Sequence, residues 1–225
     1  MNAVHTSNAP GAARILGTSV QPLVPLSGPV HVLLVGEAPG PRGADKSGVP
    51  FFGDAAGRPL YDVLRRLHAV ALSGDADAVD WDGATLRAAG YMPTAHGIAL
   101  GNAYDRCPTD NGVNFRTPTR RELEGAENIA RLTGELAALA SRGLRGIVTM
   151  GRVATRTMDV VLASAPMHGI IRRSVAHPSA QGLLSMAPER GRGAKMVELQ
   201  AEWRTRLALA IVDAGFVVES RGGAW

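Results

Sequence analysis

The chain has 225 residues, and at roughly 150 residues per domain that predicts one domain with tails. Its 24 Lys and Arg against 20 Asp and Glu give a net charge of +4, and every cation except Lys46 and Lys195 is Arg. A planar guanidinium suits phosphate, so this balance permits a nucleic-acid partner without demanding one. A hydrophobic fraction of 45% supplies a core and excludes a globally disordered chain. One cysteine, Cys107, excludes an intramolecular disulfide and any four-thiolate cluster within the chain. The longest apolar stretch, Leu207 to Val218, is broken by Asp213 and Gly215, too early to span a bilayer, so no membrane partner is expected. The polar N-terminus lacks a charged start followed by an apolar run, which predicts no signal peptide and a cytoplasmic protein.

Residues 1–28 mix Pro, Gly, Ser and Ala without periodicity and read as a flexible arm, leaving residues 29–225 as a single domain. Val30 to Val35 is short, β-branched and almost wholly apolar, as a strand covered on both faces reads. A Gly/Pro-rich loop follows to Gly57, and the spacing of Leu60, Val63, Leu64 and Leu67 predicts a helix over 58–70. The acidic, turn-rich stretch 72–96 holds at most a short helix around Ala84–Ala89. Ile98-Ala99-Leu100 predicts a second strand ending at Gly101-Asn102. Thr119-Arg120-Arg121-Glu122 fits a capping box, opening a helix expected to reach Ala140. Ile147 to Met150 reads as a third strand, with a helix beginning at Gly151. Ile170 to Val175 reads as a fourth strand, closed by His177-Pro178-Ser179, and a last helix covers 193–214.

Strands alternating with helices predict an α/β fold, three-layer α/β/α around a central, mostly parallel four-stranded sheet. Ligands of such sheets sit beyond the carboxyl ends of the strands. Glu37, Asn102 and His177 follow the first, second and fourth strands, so three chemically capable side chains converge on one rim. Asn102 offers a donor and an acceptor in one plane, as reading an amide-like base edge requires. Phe51 and Phe52 sit in a Gly-rich loop, where one ring can stack on a planar ligand while the other anchors the loop. No Gly-x-Gly-x-x-Gly turn, Gly-Lys-Ser/Thr phosphate loop or Gly-x-Ser-x-Gly elbow occurs, which disfavours a nucleotide-binding Rossmann protein and a serine nucleophile. No His lies at metal-ligand spacing from another, so no metal site is expected.

Gly36-Glu37-Ala38-Pro39-Gly40, Gly48-Val49-Pro50-Phe51-Phe52-Gly53-Asp54, Asn102 and His177-Pro178-Ser179, in that order and context, resemble the uracil-DNA glycosylase superfamily over roughly residues 30–210. The first block resembles the iron–sulfur enzymes of family four. The spacing to Gly-x-Pro-Phe and the following Gly53-Asp54 is closer to family five. Both families hold a cluster on four cysteines, whereas here only Cys107 stands near such a place, so no cofactor is expected and arginine contacts and packing would hold the loops instead. Ala44 stands where family four has a second acidic residue. The Lys/Arg-Arg-Ile-His insertion of the variant that crosslinks to uracil sites is absent ahead of Thr119.

The resemblance implies a monofunctional, monomeric DNA glycosylase of base excision repair, acting on DNA containing uracil or another deaminated base. It assigns catalysis to Glu37, Asp54 and His177. Glu37 or Asp54 would activate water or stabilise the sugar cation, and His177 would bond uracil O2 as charge develops there. Phe51 would stack on the flipped base and Asn102 read its edge, with Gly36 and Ala38 lining the pocket. Pro178, Ser179, Leu183 and Leu184 would meet the duplex, one leucine as the wedge at a kinked step. Arg190, Arg192 and Lys195 would grip phosphate. The alternative on the same fold is a catalytically silent module that binds uracil-containing DNA without releasing base.

Overall fold

The structure, a computed structural model, describes residues 14–74, 79–111 and 114–217; the side chain of Arg190 lies outside the described set. The apolar run at 30–35 forms β1 (Val30–Gly36), followed by the one-turn α1 (Ala44–Ser47) and by α2 (Gly57–Arg66). A small antiparallel pair, β2 (Val70–Leu72) and β3 (Pro93–Ala95), encloses α3 (Gly83–Ala88), whose first amides bond the Asp82 side chain. β4 (Gly97–Asn102) leads through a long loop to α4 (Arg120–Glu124) and α5 (Ala126–Ala140). Then come β5 (Gly146–Met150), α6 (Arg152–Ser164), β6 (Ile171–Val175), α7 (Ala180–Leu184), a 3₁₀ turn at Pro188–Gly191 and α8 (Met196–Asp213).

The four longer strands form one sheet, ordered β4-β1-β5-β6, and every pairing in it is parallel. Side chains of a strand alternate between faces, and the core divides accordingly. Val32 and Leu34 of β1 pack with Leu60, Leu64, Leu183, Trp203 and Leu207 on one side. Leu33 and Val35 pack with Leu132, Leu136, Met158 and Val161 on the other. The result is the three-layer α/β/α architecture, with α2, α7 and α8 on one face and α4, α5 and α6 on the opposite one. From β1 the chain crosses to β4 on one side and later to β5 on the other, so β1 is the switch strand, and its carboxyl end opens the crevice.

Two expectations need correction. The helix read as continuous from 119 to 140 is broken at Gly125, where φ −62° and ψ 145° are extended rather than helical. The capping box at its start is present, with Thr119 and Glu122 bonding reciprocally. In the region read as a flexible arm, residues 14–28 lie along the domain. Leu23 exchanges N–H···O bonds of 2.9 Å with Leu100, covering the outer edge of β4, and Val20 is buried. An irregular composition hid this pairing because a single bridge leaves no period to read. Residues 1–13 lie outside the described set.

Candidate active site

The ends of β1 and β4 are zipped together beyond the sheet. Gly36 pairs with Asn102 in register, and the amides of Ala103 and Tyr104 donate to the carbonyls of Gly36 and Glu37 at 2.8 and 3.0 Å. This fixes the Glu37 backbone while its half-buried side chain lies at the strand end. Burial pushes its carboxyl above the usual range, opposed by a bond from the Thr117 hydroxyl. Ala38 follows, also half-buried.

The loop after β1 delivers Phe51. Its φ of 63° is left-handed, a conformation costly for a bulky residue and informative where it occurs. The Phe51 ring is buried and lies against Gly36, where a Cβ would overlap the ring and come within 3.1 Å of Asn102 Oδ1. Glycine at 36 is therefore what lets ring and amide approach the strand end. Phe52 points the other way and anchors the loop, its ring edge-on to Tyr61 and Trp81 with centroids 5.3 and 5.2 Å away. The Tyr61 hydroxyl donates to Pro50 O at 2.9 Å and the Trp81 indole N–H to Asp54 O at 2.8 Å. These two bonds bracket Phe51 and hold its strained backbone.

Asn102 is 4% exposed, and neither its Nδ2 nor its Oδ1 has a hydrogen-bond partner. Leaving a buried amide unsatisfied costs about 1–3 kcal/mol per group, so this side chain is held ready for something. It borders the Phe51 ring across Gly36.

His177 stands on the far side of β1. A Cβ at Gly151, just past β5, would lie 3.1 Å from His177 Cβ. Trp203 of α8 donates to Ala176 O at 2.8 Å, pinning the residue before it. The Ser179 amide donates to His177 Nδ1 at 3.2 Å, so in a neutral ring the proton sits on Nε2, which becomes the donor. Burial lowers the imidazole pKa from its ordinary value, favouring that neutral form. Ser179 also accepts from the Gly182 amide at 3.3 Å, capping α7. A side chain at Gly182 would overlap the His177 carbonyl, which is how α7 comes so close beneath the histidine.

Asp54 is engaged differently from Glu37. Its Oδ2 accepts from the Ala44 amide at 3.2 Å, with backbone bonds from Gly43 and Gly40 as well; burial nonetheless outweighs them and pushes its carboxyl up to about 6. The carboxylate therefore ties the 40–44 turn to the Phe51 loop.

Part of the expected duplex surface faces inward. Leu183 is 1% exposed, inside the core between the sheet and α8, and Pro178 is buried. One face of a five-residue helix must close the core, and Leu183 occupies it. Gln181 is exposed on the outward side of α7, whereas Leu184 is half-buried and packs against the edge of the core. Arg192 and Lys195 are exposed, Lys195 with Glu198 at 3.3 Å; the side chain of Arg190 lies outside the described residues.

A four-cysteine cluster does not fit these residues. Cys107 is the single thiol, and it is buried, with burial pushing its pKa up to about 11. No group of three or more His, Cys, Asp and Glu able to hold a metal occurs among the described residues. Arginine contacts brace the loop next to Cys107. Arg14 donates to the carbonyls of Asp45, Thr18 and Ser19 at 2.7–2.8 Å, the Gly17 amide bonds the Asp45 carboxylate, and Arg87 reaches Ser47 O at 2.9 Å. Tyr61, Trp81 and Thr117 are site-shaping residues that sequence reading missed. A Trp in an acidic, turn-rich stretch was the available signal.

An α/β/α sheet with an acid, an unpaired amide, a bracketed aromatic and a neutral histidine along one rim belongs to a recognised class. Residues 27–198 match the model of the Uracil DNA glycosylase superfamily, and the chain belongs to that superfamily. It is similar to a type-5 uracil-DNA glycosylase of Thermus thermophilus, with 32% identity over 152 residues, 68% of this chain and 56% of that protein. The match thus spans little more than half of that relative's length. Among the described residues no helix is long and apolar enough to cross a membrane.

Proposed function

We propose that the protein is a monofunctional DNA glycosylase that hydrolyses the N-glycosidic bond of uracil, and of related deaminated bases, acting as a cytoplasmic monomer in base excision repair. The observation that carries this is Asn102, a buried amide whose donor and acceptor both lack partners. Uracil presents the complementary pair on one edge: O4 accepts from Nδ2 and N3–H donates to Oδ1. A stacked base cannot reach such a pocket, so the nucleotide is extruded and its ring lies against Phe51. His177, which follows β6, three strands along the sheet from β4, and packs beside Gly151 at the end of β5, faces the opposite edge of the base.

In the reaction the C1′–N1 bond breaks, its electron pair leaves with uracil, and a water oxygen bonds to C1′. One water proton passes to a carboxylate and then to solvent. Negative charge on uracil O2 is met by the His177 Nε2–H, and positive charge on the sugar by Glu37, each acting where charge develops. Glu37 is the better candidate for this work because the Asp54 carboxylate is occupied by loop amides. Asp54 then keeps the Phe51 loop and the 40–44 turn in register. The test is purified protein with a single-uracil oligonucleotide, followed by alkaline cleavage. Strand breaks at the uracil position are expected; tight binding to uracil DNA without any abasic product would instead mark a silent binding module.

A further inference from the structure

Asn102 owes its place to its backbone. Neither atom of its buried amide has a hydrogen-bond partner, so beyond packing beside Gly36 its position is set by the chain around it. That chain leaves β4 through Asn102 and Ala103, both buried, whose carbonyls must be matched. Both are gripped from α5. Arg131 Nη2 donates to Asn102 O at 3.2 Å and to Ala103 O at 3.1 Å, and Asn128 Nδ2 donates to Ala103 O at 2.9 Å. The N–H groups of the same two peptide planes, at Ala103 and Tyr104, donate to Gly36 O and Glu37 O at 2.8 and 3.0 Å. Each plane after Asn102 is therefore held at both ends. The grip is itself braced: Asn128 Oδ1 accepts from Arg131 Nε at 3.2 Å and Nη2 at 2.8 Å, and Arg131 Nη1 donates to Glu135 Oε1 at 2.6 Å. Asn128, Arg131 and Glu135 stand at i, i+3 and i+7 on one side of the helix, beside the Leu132 and Leu136 that close the core. Asn128 is buried, and Arg131 and Glu135 are half-buried. The break at Gly125 takes part as well. Asn128 Nδ2 also donates to Leu123 O at 2.8 Å, in α4, so one amide joins both sides of the break to the end of β4.

We propose that Arg131 and Asn128 are positioning residues for the base-reading amide: from α5 they fix the two peptide planes that follow Asn102, and so where its side chain meets the base. The inference deepens the glycosylase reading and rests on it for the identity of the base. Displacing a group by about 1 Å costs on the order of 100-fold in rate. Because the amide meets the base only after the nucleotide is extruded, the loss is expected in excision rather than in duplex binding.

The experiment compares the full chain with Arg131→Ala, Arg131→Lys, Asn102→Leu and the double variant Arg131→Ala/Asn102→Leu. Uracil release from a single-uracil duplex is followed at saturating protein, with duplex affinity and Tm beside it. The Asn102 Nδ2 signals in proton–nitrogen correlation spectra of the free protein, assigned by their loss in Asn102→Leu, report the amide directly. Arg131→Ala is expected to slow release about 10- to 100-fold at unchanged duplex affinity and to shift the Asn102 signals, and Arg131→Lys to regain part of both. On the residual activity of Asn102→Leu the same alanine should have no further effect, because residues acting through one another do not add. An equal fold-loss in both backgrounds, or Asn102 signals unmoved in folded Arg131→Ala, would overturn the proposal and leave a brace of the fold alone. If Arg131→Ala does not fold, the cycle is read with Arg131→Lys on the same terms. If the wild-type protein releases no uracil, the glycosylase reading fails, while the Asn102 signals still decide the brace.

Discussion

The two sides of the rim are built on different principles. On the β1–β4 side, Gly36, Phe51 and Asn102 are buried and packed against one another, and a left-handed residue is held by hydrogen bonds from Tyr61 and Trp81. On the side beyond β6, a short capped helix places His177 over the core, and its outward residues are exposed or half-buried. The first side stores unsatisfied polar groups and strain, which only a ligand of matching shape can relieve. The second presents one neutral donor on a scaffold that the core already stabilises. Substitutions among Gly36, Phe51 and Asn102 should therefore cost selectivity, and substitutions in the core of α7 stability.

The largest separation is expected from the charged and donor groups. Glu37→Gln and His177→Ala should each slow excision on the order of 100- to 1,000-fold in single-turnover assays, with DNA affinity nearly unchanged. Parallel loss of binding would mean that they merely build the site. Next comes the core of α7. Leu183→Ala should cost about 2–5 kcal/mol in urea unfolding, and Leu184→Ala should cost far less. Equal small costs, with a loss of duplex binding in Leu183→Ala, would return Leu183 to the role of wedge. Asn102→Leu tests stored cost directly. Removing two buried unpaired groups should raise stability by about 1–3 kcal/mol, while uracil release collapses; a destabilised variant would show that the amide is satisfied in the free protein.

The smallest effect lies in pH. Asp54 has its folded pKa raised to about 6 from 3.8, so the folded state binds more protons between those values. Its contribution to stability is full below about 4 and is lost as pH rises through 6. The Tm difference between Asp54→Asn and wild type should therefore climb from about pH 4 to about pH 7. His177 runs the opposite way. Its folded pKa is lowered from 6.5, so stability falls as pH drops below 6.5 and the unfolded chain takes up the proton. A difference curve for Asp54→Asn that is flat with pH would mean that its carboxyl is not buried against the loop amides.

Much of this was legible in the residues. β1 announced itself because Val30 to Val35 is apolar on both faces, and Thr119 with Glu122 marked a helix start that the structure keeps. The expectation that one of Phe51 and Phe52 anchors the loop holds for Phe52, packed on Tyr61 and Trp81, while Phe51 is buried as well, against Gly36. The β2–β3 pair was not legible, because three-residue strands carry too little alternation. Nor does a Leu-Leu pair tell which member turns inward. That depends on α8 lying across α7, a contact between residues far apart in the chain. The Gly125 break was hidden because the apolar spacing continues across it.

At the outer edge of the sheet, Leu23 caps β4 with two backbone bonds to Leu100. An uncovered strand edge is a template for pairing with another chain. Trimming the protein at residue 28, the boundary its composition suggests, would bare that edge on the very strand that carries Asn102. The shortened protein would then be expected to associate edge to edge, and to lose uracil recognition for want of a cover rather than a catalytic group.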